Sequence, residues 1–180
     1  SPDSDLYRAH PDWCLHVDGR DHCECRHQCV LDMSRKDVRD NIFRQMYDIL
    51  STHKIDYVKW DFNRNLTEVG SALLPRERGM ELYHRFVLGT YERLDRITTA
   101  VPHILLESCS GGGGRFDAGM LYYSPQIWTS ATTDPIERLK IQFGTSMVYP
   151  SSTMGAHVSA CSRASIQTRG DIAMWGTFGY

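Results

Sequence analysis

The strongest candidate for chemistry is a carboxylate flanked by polar residues, in the segment from Lys59 to Arg64. Alternate residues of a strand share one face, so Lys59 and Asp61 would point the same way, and Asn63 would join them if the chain stays extended. A nearby cation favours the ionised form of an aspartate, which a carboxylate nucleophile needs. Structural ion pairs also perturb carboxylates. The segment alone therefore leaves a nucleophile and a strand-end salt bridge equally open.

A second candidate is the glycine-rich stretch that follows Glu107 and runs from Ser110 to Gly114. Glycines can cradle phosphate at the start of a helix. The spacing fits neither the dinucleotide fingerprint nor the P-loop, so we favour close approach of the backbone to an uncharged ligand. Cys109 has no obvious histidine partner, and we interpret it as a lining residue rather than a nucleophile.

The cysteines raise the question of a metal site. The sequence contains 6 cysteines, which we interpret as free thiols because the chain is rich in core-forming residues. The segment from His22 to Cys29 has a C-x-C-x3-C spacing that matches no common structural zinc pattern. We favour an incidental loop over a zinc site there, and we expect neither a metal nor a cofactor.

The composition limits the classes of partner. The 20 basic and 22 acidic residues nearly cancel, which argues against nucleic acid or an anionic membrane and favours a small neutral substrate. No apolar run approaches the roughly 20 residues that span a bilayer. No secretion signal opens the chain, so we expect a cytoplasmic protein. With 41% hydrophobic residues, residues 1–180 are predicted to form one globular unit.

Short apolar runs alternate with longer helical patterns, which is typical of α/β units with a parallel sheet. Strands are predicted over residues 28–32, 56–61, 103–107, 126–130 and 156–160. Helices are predicted from the N-cap Ser34 to Leu50, over 75–96, from the N-cap Asp134 to about Val148, and over 170–178.

These elements fit an open doubly wound sheet or part of a (β/α)8 barrel. Asp61, Cys109 and the segment after Ser130 all follow successive predicted strands. Barrel enzymes collect catalytic groups at the carboxyl ends of their strands, whereas an open sheet favours one switch-point crevice. The distribution favours a barrel, of which 180 residues would form only a part.

Four motifs in order closely resemble the glycoside hydrolase family 36 α-galactosidases. They are Tyr57 to Asn65, Glu107 to Asp117, Trp128 to Ser130 with Thr133 to Leu139, and Tyr149 to Ser159. The opening of the chain also resembles the family's segment that leads into the third barrel strand. The resemblance covers nearly the whole chain.

This resemblance implies a (β/α)8 barrel, present from about strand 3 to strand 7 or 8, and retaining hydrolysis of terminal α-galactosides such as melibiose and raffinose. Asp61 matches the nucleophile after the fourth strand. The positions that match galactose-binding groups are Arg26, Lys59, Asn63, Cys109 and Gly112. Relatives of this kind are often homotetramers.

Two departures from the family concern the mechanism. The family's acid/base aspartate belongs to a Ser-Asp-x-x-Asp element, which here reads Ser130-Ala131-Thr132-Thr133-Asp134, so Ala131 stands in the acid/base position. Asp134 is the nearest substitute, but its position suits a helix N-cap. Several residues of the family pattern are also missing between Cys161 and Gly170. We therefore expect weak turnover of ordinary galactosides, and we keep two alternatives: an inactive galactoside-binding pseudoenzyme and a transglycosylase of the raffinose-synthase type.

Overall fold

The structure, a computed structural model, describes residues 1–160 and 163–179. It contains two compact units: Ser1–Lys54 with Arg64–Pro102, and Ile55–Asn63 with His103–Tyr180. The assignment of residues 1–180 to one domain stays a prediction. No helix in the described ranges has the length and hydropathy needed to cross a membrane.

The first unit is helical. Its elements are α1 (Asp5–Ala9), a 3-10 helix (Pro11–Trp13), α2 (Lys36–Thr52), a second 3-10 helix (Arg76–Glu81) and α3 (Leu82–Ala100). Helices α2 and α3 are amphipathic and bury apolar residues such as Val38 and Phe86. Ion pairs join the two helices, with Arg39 2.7 Å from Glu92. A Cβ on residue 89 would lie 1.9 Å from the Met33 carbonyl oxygen, so this close approach requires glycine in α3.

The second unit carries a parallel sheet. Its elements are β1 (Tyr57–Asp61), β2 (Leu105–Cys109), α4 (Ala118–Tyr123), β3 (Gln126–Trp128), α5 (Pro135–Ser146), a 3-10 helix (Ser151–Thr153), β4 (Met154–His157), α6 (Ile166–Ala173) and β5 (Thr177–Gly179). The sheet has 5 strands in the order β1-β2-β3-β4-β5, and neighbouring strands are parallel. This arrangement confirms the α/β class and places all carboxyl ends along one edge of the sheet.

The segment 28–32 is not a strand of this sheet, which corrects the first predicted strand. It makes two isolated antiparallel bridges, Leu31 with Cys14 and Gln28 with Cys25, and Leu15 N–H donates to the Val30 carbonyl over 2.8 Å. These partner stretches are too short to build a ladder.

The N-cap prediction for Ser34 is also wrong. The side chain of the fully buried Asp32 accepts hydrogen bonds from both the amide and the hydroxyl of Ser34. Ser34 is thereby held outside the helix, and α2 begins at Lys36 with Arg35 in the cap position and no side-chain cap. A local contact with the buried carboxylate two residues earlier competes with the capping preference of Ser34.

Residues 170–178 do not form one helix as predicted. Helix α6 begins after the N-cap Ser165 and ends at Ala173, and Thr177–Gly179 pairs with β4 as β5. At Gly176 the chain passes so close to β4 that a Cβ would lie 2.5 Å from the Met154 carbonyl oxygen. Strand pairing rather than helical propensity decides the conformation of this segment.

Candidate active site

Asp61 and Cys109 occupy the carboxyl ends of β1 and β2 and face each other in register. Tyr57, Lys59 and Asp61 alternate along β1 and therefore share one face of the sheet. Glu107 and Cys109 extend the same face on β2, since the Tyr57 hydroxyl and the Lys59 ammonium both contact Glu107. The polar groups predicted from alternation along β1 are thus brought together by strand pairing.

Asp61 is exposed and is held by three donors. Its carboxylate accepts hydrogen bonds from the Phe62 amide over 2.8 Å, from the Asn63 side-chain amide and from the Cys109 thiol. Partial burial alone would raise the pKa of Asp61, but these hydrogen bonds and the charge of Lys59 outweigh it and lower the pKa below the usual range of an aspartate. The group is therefore ionised at neutral pH and accessible to a ligand.

Cys109 is buried and supports Asp61 rather than acting as a nucleophile. Burial raises the pKa of its thiol, and the adjacent Asp61 carboxylate adds to that effect. A reactive cysteine needs the opposite, a lowered pKa and access to substrate. The thiol is a hydrogen-bond donor to Asp61, and its role as a lining residue of a ligand pocket stays a prediction.

Lys59 lies between an acid and an aromatic ring. Its Nζ is 3.1 Å from Glu107 Oε1 and 4.7 Å from the centre of the Trp128 ring, and its side chain is 35% exposed. This geometry provides both an ion pair and a cation–π contact. The ammonium is thus fixed on the face that carries Asp61.

Glu107 is the main residue of this site whose role the sequence did not reveal. Its carboxylate is fully buried and accepts hydrogen bonds from the Tyr57 hydroxyl and, over 2.8 Å, from Gln126 Nε2. Burial raises the pKa of Glu107, and the Gln126 hydrogen bond opposes that shift. The local sequence around Glu107 gave no signal for this role, because its partners come from β1 and β3.

Trp128 ends β3 and contacts two cations and an imidazole. Its ring centre is 4.7 Å from both Lys59 Nζ and the Arg138 guanidinium carbon, and 4.4 Å from the His157 ring centre. Burial lowers the pKa of His157, and the charges of Lys59 and Arg138 lower it further. The indole therefore forms an apolar wall beside Lys59.

The glycine turn packs its backbone against the segment after β3. Gly111 and Gly112 have positive φ angles of 57° and 91°, and the Gly111 amide donates to Asn63 Oδ1 over 2.9 Å. Gly112 pairs with Ser130, and a Cβ at residue 112 would lie 2.5 Å from the Ser130 Cα. The close approach expected of these glycines is thus made to protein backbone.

We expect Gly112→Ala to lower the free energy of unfolding by about 2 kcal/mol or more, since it adds both strain at a positive φ and a backbone clash. Gly144→Ala is the matched control, because nothing lies within 4 Å of its added Cβ and it sits in α5. The free energy of unfolding of the control should rise by up to about 1 kcal/mol, because alanine has a higher helix propensity than glycine. Urea unfolding of the two variants measures the difference, and equal stabilities would contradict the argument.

Ala131 follows this contact and is exposed, with no carboxylate to offer. Asp134 does not replace it, because its side chain caps α5 by accepting hydrogen bonds from the amides of Ile136 and Glu137. The predicted capping role of Asp134 is confirmed. The segment between Cys161 and Gly170, where residues of the family pattern are missing, includes Cys161 and Ser162, which lie outside the described residues.

The predicted site residues fall into two groups. Those assembled in the second unit are Lys59, Asp61, Asn63, Cys109, Gly112 and Ala131. Arg26 belongs to the first unit, in an exposed turn where it and His27 both have φ of 55°. The assignment of Arg26 to substrate binding stays a prediction.

The described cysteines, Cys14, Cys23, Cys25, Cys29 and Cys109, are free thiols, as predicted. Within the described residues, the C-x-C-x3-C cysteines form no group with metal-ligand spacing. The interpretation of that segment as an incidental loop stays a prediction.

Comparison with protein families gives a match to the Melibiase family model over residues 1–180. Among curated proteins, the chain is 59% identical to alpha-galactosidase AgaA of Geobacillus stearothermophilus, with 100% of this chain and 26% of that protein covered. It is 54% identical to alpha-galactosidase Mel36A of Lactobacillus acidophilus, with 100% and 25% covered. The chain thus spans about a quarter of the length of these relatives.

Solved structures give the same result. The crystal structure of the family 36 enzyme AgaA superposes with a TM-score of 0.96 at 59% identity, covering 100% of this chain and 26% of that one. The alpha-galactosidase of Lactobacillus brevis superposes with a TM-score of 0.96 at 49% identity, covering 100% and 25%. Variants of AgaA have been solved in complex with raffinose and with stachyose.

Proposed function

Because the chain belongs to the melibiase family, we propose that it forms the central part of the catalytic barrel of a retaining α-galactosidase, with Asp61 as the nucleophile. The observation that carries this proposal is an ionised, accessible carboxylate at the end of β1, held by Asn63 and Cys109. Lys59 is fixed on the same face.

The order of the strands supports the barrel. A doubly wound sheet reverses its order at a switch point, whereas β1 to β5 follow one another without reversal. We assign β1 to β5 to barrel strands 4 to 8, with residues 28–32 in the position of strand 3. The carboxyl ends of the strands then surround the substrate, as in barrel enzymes generally.

In the proposed reaction, an Asp61 oxygen attacks the anomeric carbon of the galactosyl group, and the bond to the leaving oxygen breaks. Arg26, Lys59, Asn63, Cys109 and Gly112 would line the galactose pocket. Water then hydrolyses the galactosyl ester and frees Asp61. A second carboxyl group normally protonates the leaving oxygen and later activates this water. Ala131 can do neither, so both steps lose that assistance.

Raffinose-type galactosides are the proposed ligand class, supported by the AgaA variant complexes with raffinose and stachyose. The loss of the carboxylate at Ala131 favours one second candidate function, binding of galactosides without turnover. The residues proposed to hold galactose do not depend on the acid/base, so binding would survive its loss.

We expect the protein to release nitrophenol from a nitrophenyl α-galactoside in a burst, because this leaving group needs little protonation, and to hydrolyse raffinose at or near background. Stopped-flow absorbance measures the burst, and release of galactose measures the hydrolysis of raffinose. The matching α-glucoside is the control for sugar recognition. Rapid raffinose hydrolysis would contradict the proposed defect, binding without a burst would favour the galactoside-binding alternative, and transfer of galactose to an added sugar acceptor would indicate a transglycosylase.

A further inference from the structure

Two histidines and a glutamate converge within the first unit. His16 Nδ1 lies 3.6 Å from Glu68 Oε1, and His22 Nδ1 lies 3.9 Å from Glu68 Oε2. The two imidazole ring centres are 4.1 Å apart. One ligand atom from each residue falls within 4.8 Å of the other two, which is metal-ligand spacing.

These groups lack the partners that buried polar atoms normally have. His16 Nδ1, His22 Nδ1 and Glu68 Oε2 are all buried without a hydrogen bond, and the Glu68 side chain is only 9% exposed. More than about 90% of buried polar groups are hydrogen-bonded in native proteins. Three unpartnered polar atoms in one cluster are explained by an ion that binds between them.

An ion pair with protonated histidines explains the cluster less well. The distances of 3.6 Å and 3.9 Å are too long for charge-assisted hydrogen bonds, which are usually about 2.7–2.9 Å. Two imidazolium rings at 4.1 Å would also repel each other around one carboxylate. Neutral imidazoles avoid this repulsion and offer lone pairs instead.

His22 has the outer contact expected of a metal ligand. Its Nε2 lies 3.0 Å from the Tyr7 hydroxyl. A neutral imidazole that donates Nε2–H to the tyrosine oxygen presents the Nδ1 lone pair to the cluster. Ligating histidines typically use their second nitrogen in this way, and the contact fixes the orientation of the ring.

Backbone contacts hold the three side chains together. The His16 amide donates to the Gly70 carbonyl over 3.0 Å, and a Cβ at residue 70 would lie 1.9 Å from the His16 carbonyl oxygen. The Arg64 guanidinium donates to the Cys23 carbonyl over 2.5 Å. The loop that carries Glu68 is therefore tied to the chain beside both histidines, so the ligands are positioned before any ion binds.

We propose that His16, His22 and Glu68 bind one zinc ion, with water as the fourth ligand. Tetrahedral zinc at about 2.0–2.2 Å from its ligands sets neighbouring donor atoms about 3.3–3.6 Å apart, close to the 3.6 Å and 3.9 Å that separate the two histidines from the Glu68 oxygens. Two imidazoles and one carboxylate suit zinc, whereas calcium and magnesium prefer oxygen ligands. A cavity of about 720 Å³ is lined by Tyr7, His16 and His22, so water lies next to both histidines.

The test is zinc binding by the purified chain after removal of metals with a chelator. The chain should bind one zinc ion, measured by competition with a chromophoric chelator, and zinc should raise its melting temperature. His22→Gln and Glu68→Gln should each weaken zinc binding by about 100-fold or more and abolish the thermal shift. His103→Gln removes an exposed histidine outside the cluster, and it should leave the zinc affinity and the thermal shift unchanged.

Cobalt substitution distinguishes this site from binding by the nearby cysteines. Cobalt bound by nitrogen and oxygen should show no thiolate charge-transfer band, and Cys23→Ser with Cys25→Ser should not change its affinity. A thiolate band, loss of binding in the cysteine variant, retention of zinc by both cluster variants, or no zinc binding by the unsubstituted chain would each overturn the proposal. If one of the two cluster variants fails to fold, the other variant and the zinc-dependent shift in melting temperature of the unsubstituted chain still test the proposal.

Discussion

Asp61→Asn should reduce the rate of the nitrophenol burst from a nitrophenyl α-galactoside by about 10⁴-fold or more. Losses of this order follow removal of a residue that acts directly in covalent catalysis. Asparagine keeps the shape of the side chain but lacks the charge that attacks the sugar. The lowered pKa of Asp61 means that the native group is ionised well into the acid range. Mass spectrometry of the quenched chain should show galactose attached to Asp61 and no adduct in the variant.

Asp56→Asn is the matched control. Asp56 is an exposed aspartate that immediately precedes the same strand, at the end opposite to the proposed site. Its replacement should leave the burst and the adduct unchanged. An adduct on any other residue, or an undiminished burst in Asp61→Asn, would contradict the assignment of the nucleophile.

Ala131→Asp should raise the rate of raffinose hydrolysis by about 10²- to 10⁴-fold, the usual contribution of general acid/base catalysis. Residue 131 is exposed, so a carboxylate there should be tolerated without loss of stability. The restored aspartate would protonate the leaving sugar and then activate water against the galactosyl ester. Galactose release from raffinose measures the gain.

The nitrophenyl substrate gives an internal check on that gain. Its leaving group needs little acid, so Ala131→Asp should leave the burst rate nearly unchanged and raise the steady rate that follows, which reports hydrolysis of the ester. Thr132→Asp is the control, because it adds the same charge at the adjacent exposed residue. An equal gain in Thr132→Asp, or none in Ala131→Asp, would show that position 131 is not the acid/base position.

The sequence alone determined much of the second unit and of the proposed site. Alternation along β1 placed Lys59 and Asp61 on one face, and Asp134 followed by Pro135 marked the start of α5, as found. Both features depend on residues adjacent or alternate in the chain, so local geometry suffices to predict them. The absence of a carboxylate at residue 131 is likewise a fact of the sequence.

Only the tertiary structure decided the features that depend on distant residues. Glu107 finds Tyr57 and Gln126 on neighbouring strands. The sequence analysis grouped His22 with the cysteines of the segment from His22 to Cys29, but in the structure it lies beside His16 and Glu68. Such contacts depend on which backbone segments pair in space, and a periodic pattern along the chain specifies the face of a residue but not its partner across that face.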